Sequence, residues 1–187
     1  REISGGETHA YNLTLAAGAF THVTVEQRGI NIAISVFVDG QRLRTVENVG
    51  VGASEEFSLI AERAFNYRFE VEAPDKHSYA IIVHESRPST EQDKARVEGQ
   101  KLVEEGMMLF YRQTKQARRE AVDKFQKSFA SWQAANDKLG EARAYHMAAH
   151  TYNQLGETQK GQDLAMQGLA VAKASGDPSV EAYLLDT

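Results

Sequence analysis

His146-Met147-Ala148-Ala149-His150 sets two imidazoles four residues apart, a spacing that brings both onto one face of a helix, where zinc can use them. A metalloprotease helix carries glutamate directly after the first histidine. Met147 stands there instead, and no third ligand is evident. Serine, histidine and aspartate all occur, but no Gly-x-Ser-x-Gly elbow presents a nucleophile. Gly50-Val51-Gly52-Ala53-Ser54 is too short for a dinucleotide or Walker loop and precedes no helical pattern. Glu70, Glu72 and Asp75 offer calcium chemistry, yet scattered strand carboxylates are ordinarily just solvated. Cysteine is absent, which removes disulfides, thiol nucleophiles and thiolate metal sites together. The expectation is a chain with no catalytic residues, no cofactor and no metal.

The elements that would position these residues fall into two kinds. Up to about residue 86 apolar side chains alternate with polar ones, which places them on one face of a strand. Tyr11, Leu13 and Leu15 do so, then Val23 and Val25, then Ile30, Ile32, Ile34, Val36 and Val38. Phe57, Leu59 and Ala61 come next, then Tyr67, Phe69 and Val71, then Tyr79, Ile81 and Val83. Turn signals separate them at Ala17-Gly18, Arg28-Gly29, Asp39-Gly40, Gly50-Val51-Gly52 and Ala73-Pro74-Asp75, with Asp39-Gly40 the clearest hairpin. The spacing predicts seven strands, near 8–15, 20–27, 30–38, 41–47, 56–62, 66–72 and 78–85, as an antiparallel β-sandwich.

Ser86-Arg87-Pro88-Ser89-Thr90-Glu91-Gln92-Asp93 changes the pattern. Proline disfavours helix in the residue before it, Ser89 or Thr90 can cap a helix, and Glu91 and Asp93 suit its first turn. The boundary is placed at about 87, with domains at 1–87 and 88–187, joined so tightly that they are expected to be fixed to one another. Helices are predicted over about 90–112, 117–136, 140–155 and 158–175, with Pro178 opening a fifth. Val97, Leu102, Gly106 and Leu109 are the packing positions of the first, and Ala121, Phe125, Phe129 and Trp132 trace one face of the second. Trp132 in that stripe is far more often core than ligand platform, and Arg118-Arg119 is read as a basic pair on an exposed face. Asp137 recurs as Asp177 and Glu141-Ala142 as Glu181-Ala182, forty positions on, the mark of a helical repeat array. The chain stops inside the restarted helix, so further repeats are expected beyond Thr187.

These residues carry two resemblances. Tyr11-x-Leu13-x-Leu15-x-x-Gly18, the strand running into Asp39-Gly40, Phe57-x-Leu59-x-Ala61, Asn66-Tyr67-x-Phe69-x-Val71 and Ser78-Tyr79-x-Ile81-x-Val83 resemble the secreted pre-peptidase C-terminal type of sandwich, with Asn66 where that family usually has glycine. The helical half is similar to tetratricopeptide repeats of longer period, through Ala149, Tyr152, Leu155-Gly156-Glu157, Gly161, Ala165 and Gly168. An imperfect earlier copy uses Gly106, Leu109, Ala121, Phe125 and Ser128. Together the halves resemble the N-terminal region of bacterial tetratricopeptide proteins that end in a caspase-like CHAT peptidase domain.

The resemblance implies that the first helix of each pair lines a groove. Its positions would be Arg143, His146, His150, Asn153 and Gln154 in the better repeat, a polar row suited to an extended peptide or its carboxylate. A solvated helix face is weighed equally with it. In the earlier repeat they would be Gln100, Val103, Met107, Phe110 and Tyr111, an apolar face that is either a binding patch or covered by the sandwich.

Net charge is −5, which gives no electrostatic case for nucleic acid, and no apolar run reaches the ~20 residues that cross a bilayer. The expected function is a non-catalytic module whose helical groove binds a partner protein or peptide, as the regulatory arm of a larger peptidase. The alternative is carbohydrate binding by the sandwich, against which Tyr11, Phe37, Tyr67 and Tyr79 are assigned mostly to its core face. The sandwich resemblance implies a periplasmic or secreted location. Tyr183, Leu184 and Leu185 are expected to be exposed, offering self-association through the last helix.

Overall fold

A computed structural model describes residues 2–3, 6–28, 33–46, 54–72, 77–176 and 178–187. The chain divides into two compact units, Arg1–Thr90 and Glu91–Thr187. The expected turns at Gly50-Val51-Gly52 and Ala73-Pro74-Asp75, the residues Gly29, Ile30, Ile32 and Asp177, and the Asp75 carboxylate lie outside the described residues.

Among the described residues the first unit holds eight strands in two antiparallel sheets. β1 (Glu2–Ile3), β8 (His77–Pro88), β3 (Ala19–Arg28) and β6 (Ser54–Ile60) lie in that order in one sheet. β2 (Thr8–Leu15), β7 (Phe65–Glu72), β4 (Ala33–Val38) and β5 (Gln41–Val46) lie in that order in the other. The alternation works as sterics dictate: Val23 and Val25, Phe57 and Leu59, Tyr67, Phe69 and Val71 all enter one buried cluster to which both sheets contribute. Phe57 and Phe69, from different sheets, bring their ring centroids to 5.7 Å. Tyr79 is buried there too, its hydroxyl satisfied by His9 Nδ1 at 2.7 Å and by the Tyr11 hydroxyl, as a tyrosine in a core requires.

Asp39 and Gly40 join β4 to β5 with φ of 54° and 73°, the positive pair that a two-residue hairpin turn demands and that aspartate and glycine tolerate best. The register of that ladder shifts between Val36 and Phe37. Phe37 stands outside the core cluster, on the opposite face of the sheet, which corrects its assignment to the core: in a strand whose Val36 and Val38 point inward, the residue between them points away. Two further corrections concern long-range pairing. Glu2–Ile3 adds an eighth short strand beside His77 and Ser78, and β8 runs past the expected end near 85 through Ser86, Arg87 and Pro88, which pair with Thr21, Phe20 and Ala19.

Among the described residues the second unit holds five helices: α1 (Glu91–Phe110), α2 (Lys115–Ala134), α3 (Lys138–Gln154), α4 (Thr158–Ser175) and α5 (Pro178–Leu185). Their ends are set by local chemistry. The Thr114 hydroxyl accepts from the Ala117 N–H and the Asp137 carboxylate accepts from the Gly140 N–H, each filling a bond the first helical turn lacks. Gly156 turns α3 into α4 at φ 77°. Each helix packs on the next, and α3 also touches α1 and α5. Alanines dominate the contacts, and large side chains sit on glycines: a Cβ at Gly106 would stand 2.5 Å from the Phe125 ring, and Cβ atoms at Gly99 and Gly140 would stand 2.9 and 2.5 Å from the Trp132 indole. Leu184 is buried against Gly168, correcting its expected exposure, while Tyr183 and Leu185 remain 57% and 71% exposed.

Candidate functional site on the odd-numbered helices

The residues expected to line a groove come from α1 and α3, and the helices bring several of them together. Phe110 closes α1 with Tyr111 directly after it, their rings 5.8 Å apart. Phe110 meets His150 of α3 at 5.7 Å, and His150 meets His146, one turn earlier, at 6.1 Å. His146 stacks on Tyr183 of α5 at 5.5 Å with the planes 25° apart. The result is an unbroken row of rings across three helices. It ends in two well-exposed tyrosines, Tyr111 at 64% and Tyr183 at 57%. Val103, Met107 and Phe110 are half-buried and pack against the helical core, so the apolar face of α1 is partly spent on folding.

The polar members divide. Arg143 and Gln154 are exposed, and Gln154 lends its carbonyl to Arg118 at 3.3 Å. Arg118 is thereby half-buried between helices, not a free surface charge, while its neighbour Arg119 reaches Glu157 at 3.5 Å. Asn153 turns toward Gly161, and its amide N–H donates to the Thr187 carbonyl at 2.6 Å, tying α3 to the end of the chain just past α5. Gln100 is half-buried on α1.

His146 is held below the ordinary imidazole range, first because burial penalises the cation and second because His150 would repel it. His146 is thus neutral and aromatic in character at neutral pH, suited to stacking and to donating through one ring nitrogen and accepting through the other. Among the described residues no three metal-ligating side chains meet, so His146 and His150 form two ligands without a third. In the first unit His22 Nδ1 lies 3.0 Å from Ser58 Oγ, a nucleophile–base distance, but Ser58 is fully buried on a central stretch of β6, where no acyl group reaches it. Glu70 pairs with Arg68.

Tyr183 is the member of the row that sequence reasoning missed. The forty-residue repeat places it at the position Arg143 occupies one repeat earlier, so the signal was there to be used. A scan against protein-family models found no match, and a search of curated proteins likewise found none. No described helix is long and apolar enough to cross a membrane.

Proposed function

We propose that this chain is a non-catalytic interaction module, in which tetratricopeptide-like helical pairs, preceded in the sequence by a pre-peptidase-type β-sandwich, bind an extended segment of a partner protein. One observation carries the proposal: the Tyr111–Phe110–His150–His146–Tyr183 row, built from the first helix of each successive pair. Aromatic rings with polar tips supply large contact area at low conformational cost, and such side chains dominate the energetics of protein interfaces. Arg143 and Gln154 stand exposed on the same helix to hydrogen-bond the backbone of a bound segment. The fold assignment draws support from the core shared by the two sheets and from the forty-residue recurrence in the helices. The resemblance to CHAT-type proteins supports a role as the regulatory arm of a peptidase.

The test is a display selection of random peptides on the immobilised chain, followed by fluorescence polarisation of the enriched peptides. Tyr183→Ala and His146→Ala are each expected to weaken binding about tenfold or more, as truncation of an aromatic anchor does. Failure to enrich any sequence, or peptides that bind both variants as tightly as the parent, would refute the groove.

A further inference from the structure

The outward face of the β2-β7-β4-β5 sheet carries an open depression of about 440 Å³. Three strands build it. Asn12 of β2 lies opposite Arg68 of β7, and Arg68 lies opposite Phe37 of β4, so the three stand in line across the sheet. Phe65 and Asn66 extend the lining along β7, and the Asp39-Gly40 turn forms one edge. Phe37 is half-buried on this outward face, whereas the Phe65 side chain packs against the core.

The polar groups are already arranged. Thr14 donates its hydroxyl hydrogen to Asn66 Oδ1 at 2.6 Å, which fixes the amide and leaves its NH₂ as the donating end. Arg68 is paired with Glu70. Asp39 is paired with Arg63 at 3.1 Å, and that guanidinium lies 4.7 Å over the Phe65 ring. Each charged residue of the lining, Asp39, Arg68 and Glu70, therefore has an opposite charge beside it.

That balance selects the ligand chemistry. A phosphate or carboxylate would have to compete with Asp39 and Glu70 for Arg63 and Arg68, which those carboxylates already hold. A wholly apolar ligand would cover Asn12 and Asn66 without satisfying them, which costs more than the apolar contact returns. A molecule with an apolar C–H face and a rim of uncharged hydroxyls meets both demands: the face lies on the Phe37 ring, and the hydroxyls exchange hydrogen bonds with amides and paired charges. We propose that this depression binds a neutral saccharide, with Phe37 as the stacking ring and Asn12 and Asn66 as the hydroxyl partners. The site is independent of the helical row.

Affinity electrophoresis of the full chain in native gels containing a soluble neutral polysaccharide (hydroxyethylcellulose, xylan or galactomannan, each in turn) tests this, with polygalacturonate as the anionic counterpart. Retardation is expected in at least one neutral gel and should fall about tenfold in Phe37→Ala and in Asn12→Ala. Tyr183→Ala should migrate as the parent does. Asn12 is an exposed rim residue, so its variant decides the matter if Phe37→Ala fails to fold. Retardation in none of the neutral gels, in polygalacturonate alone, or equally in parent and Asn12→Ala overturns the proposal, as does loss of retardation in Tyr183→Ala.

Discussion

Between the two sheets alanine supplies only two of the fifteen described residues of the buried core, while among the helices it supplies six of ten. The contrast is geometric in origin. Side chains stand out from a pleated face on alternate residues, and valine, isoleucine, phenylalanine and tyrosine supply the bulk of the core to which both sheets contribute. Helices close to about 8–10 Å between axes, near enough that small residues must line the contact. Away from the large side chains of Trp132 and Phe125, the helical contacts should therefore be damaged chiefly by added atoms and the sheet core by removed ones. Trp132 and Phe125 are the exceptions that complete the pattern, since each large side chain fits because a glycine faces it.

The sharpest way to break that contrast is to empty the tryptophan site. Trp132→Ala is expected to cost about 3–5 kcal/mol, matching Phe57→Ala between the sheets, because both leave cavities the surroundings cannot close. Urea unfolding followed by far-UV circular dichroism measures both; a loss under about 1 kcal/mol for Trp132→Ala would mean the glycine sockets collapse freely. Adding atoms comes next. Gly106→Val should cost about 1–3 kcal/mol by driving into Phe125. Between the sheets the subtle removal Ile34→Val should cost only about 0.5–1.5 kcal/mol. The same titration orders the two, and the reverse order would contradict the assignment of small residues as the limiting contacts. Asp137→Ala should cost about 1 kcal/mol through the lost cap on α3, and also removes the carboxylate that now lies 3.4 Å from Arg96.

The smallest effect is the one with a pH signature. Because the folded state holds the pKa of His146 below its unfolded value of about 6.5, the unfolded chain binds more protons there. This contribution to stability is present in full above the unfolded value and is lost as the pH falls through the folded one. The urea midpoint should therefore drop more from neutral to mildly acidic pH in the parent than in His146→Gln. Equal drops would remove His146 as a source of acid sensitivity.

Much of the fold is written locally. Period-two alternation locates the inward faces of Phe57–Leu59 and Tyr67–Phe69–Val71, Asp39-Gly40 announces its own turn, and Pro178 and Gly156 mark helix ends. The features that escape depend on partners distant in sequence. Nothing near Ser86 reveals that Ser86–Pro88 pairs with Ala19–Thr21, and nothing near Glu2 reveals a strand beside His77. Phe37 is a different case, because its neighbours Val36 and Val38 already fix its direction away from the core. Leu184 looks exposed in sequence because its cover, Gly168, lies in another helix. The aromatic row is half legible: two histidines one turn apart are plain, but Phe110 and Tyr183 become their neighbours only when α3 packs against α1 and α5.

Trp132 is the chain's single tryptophan, 5% exposed, and its indole N–H has no hydrogen-bond partner among the described residues. An indole shielded from water and unbonded emits at short wavelength, and water reaching it shifts the emission to the red. The glycine sockets on α1 and α3 thus turn one side chain into an optical gauge. Its colour reads the closeness of three helices, and it does so without a label.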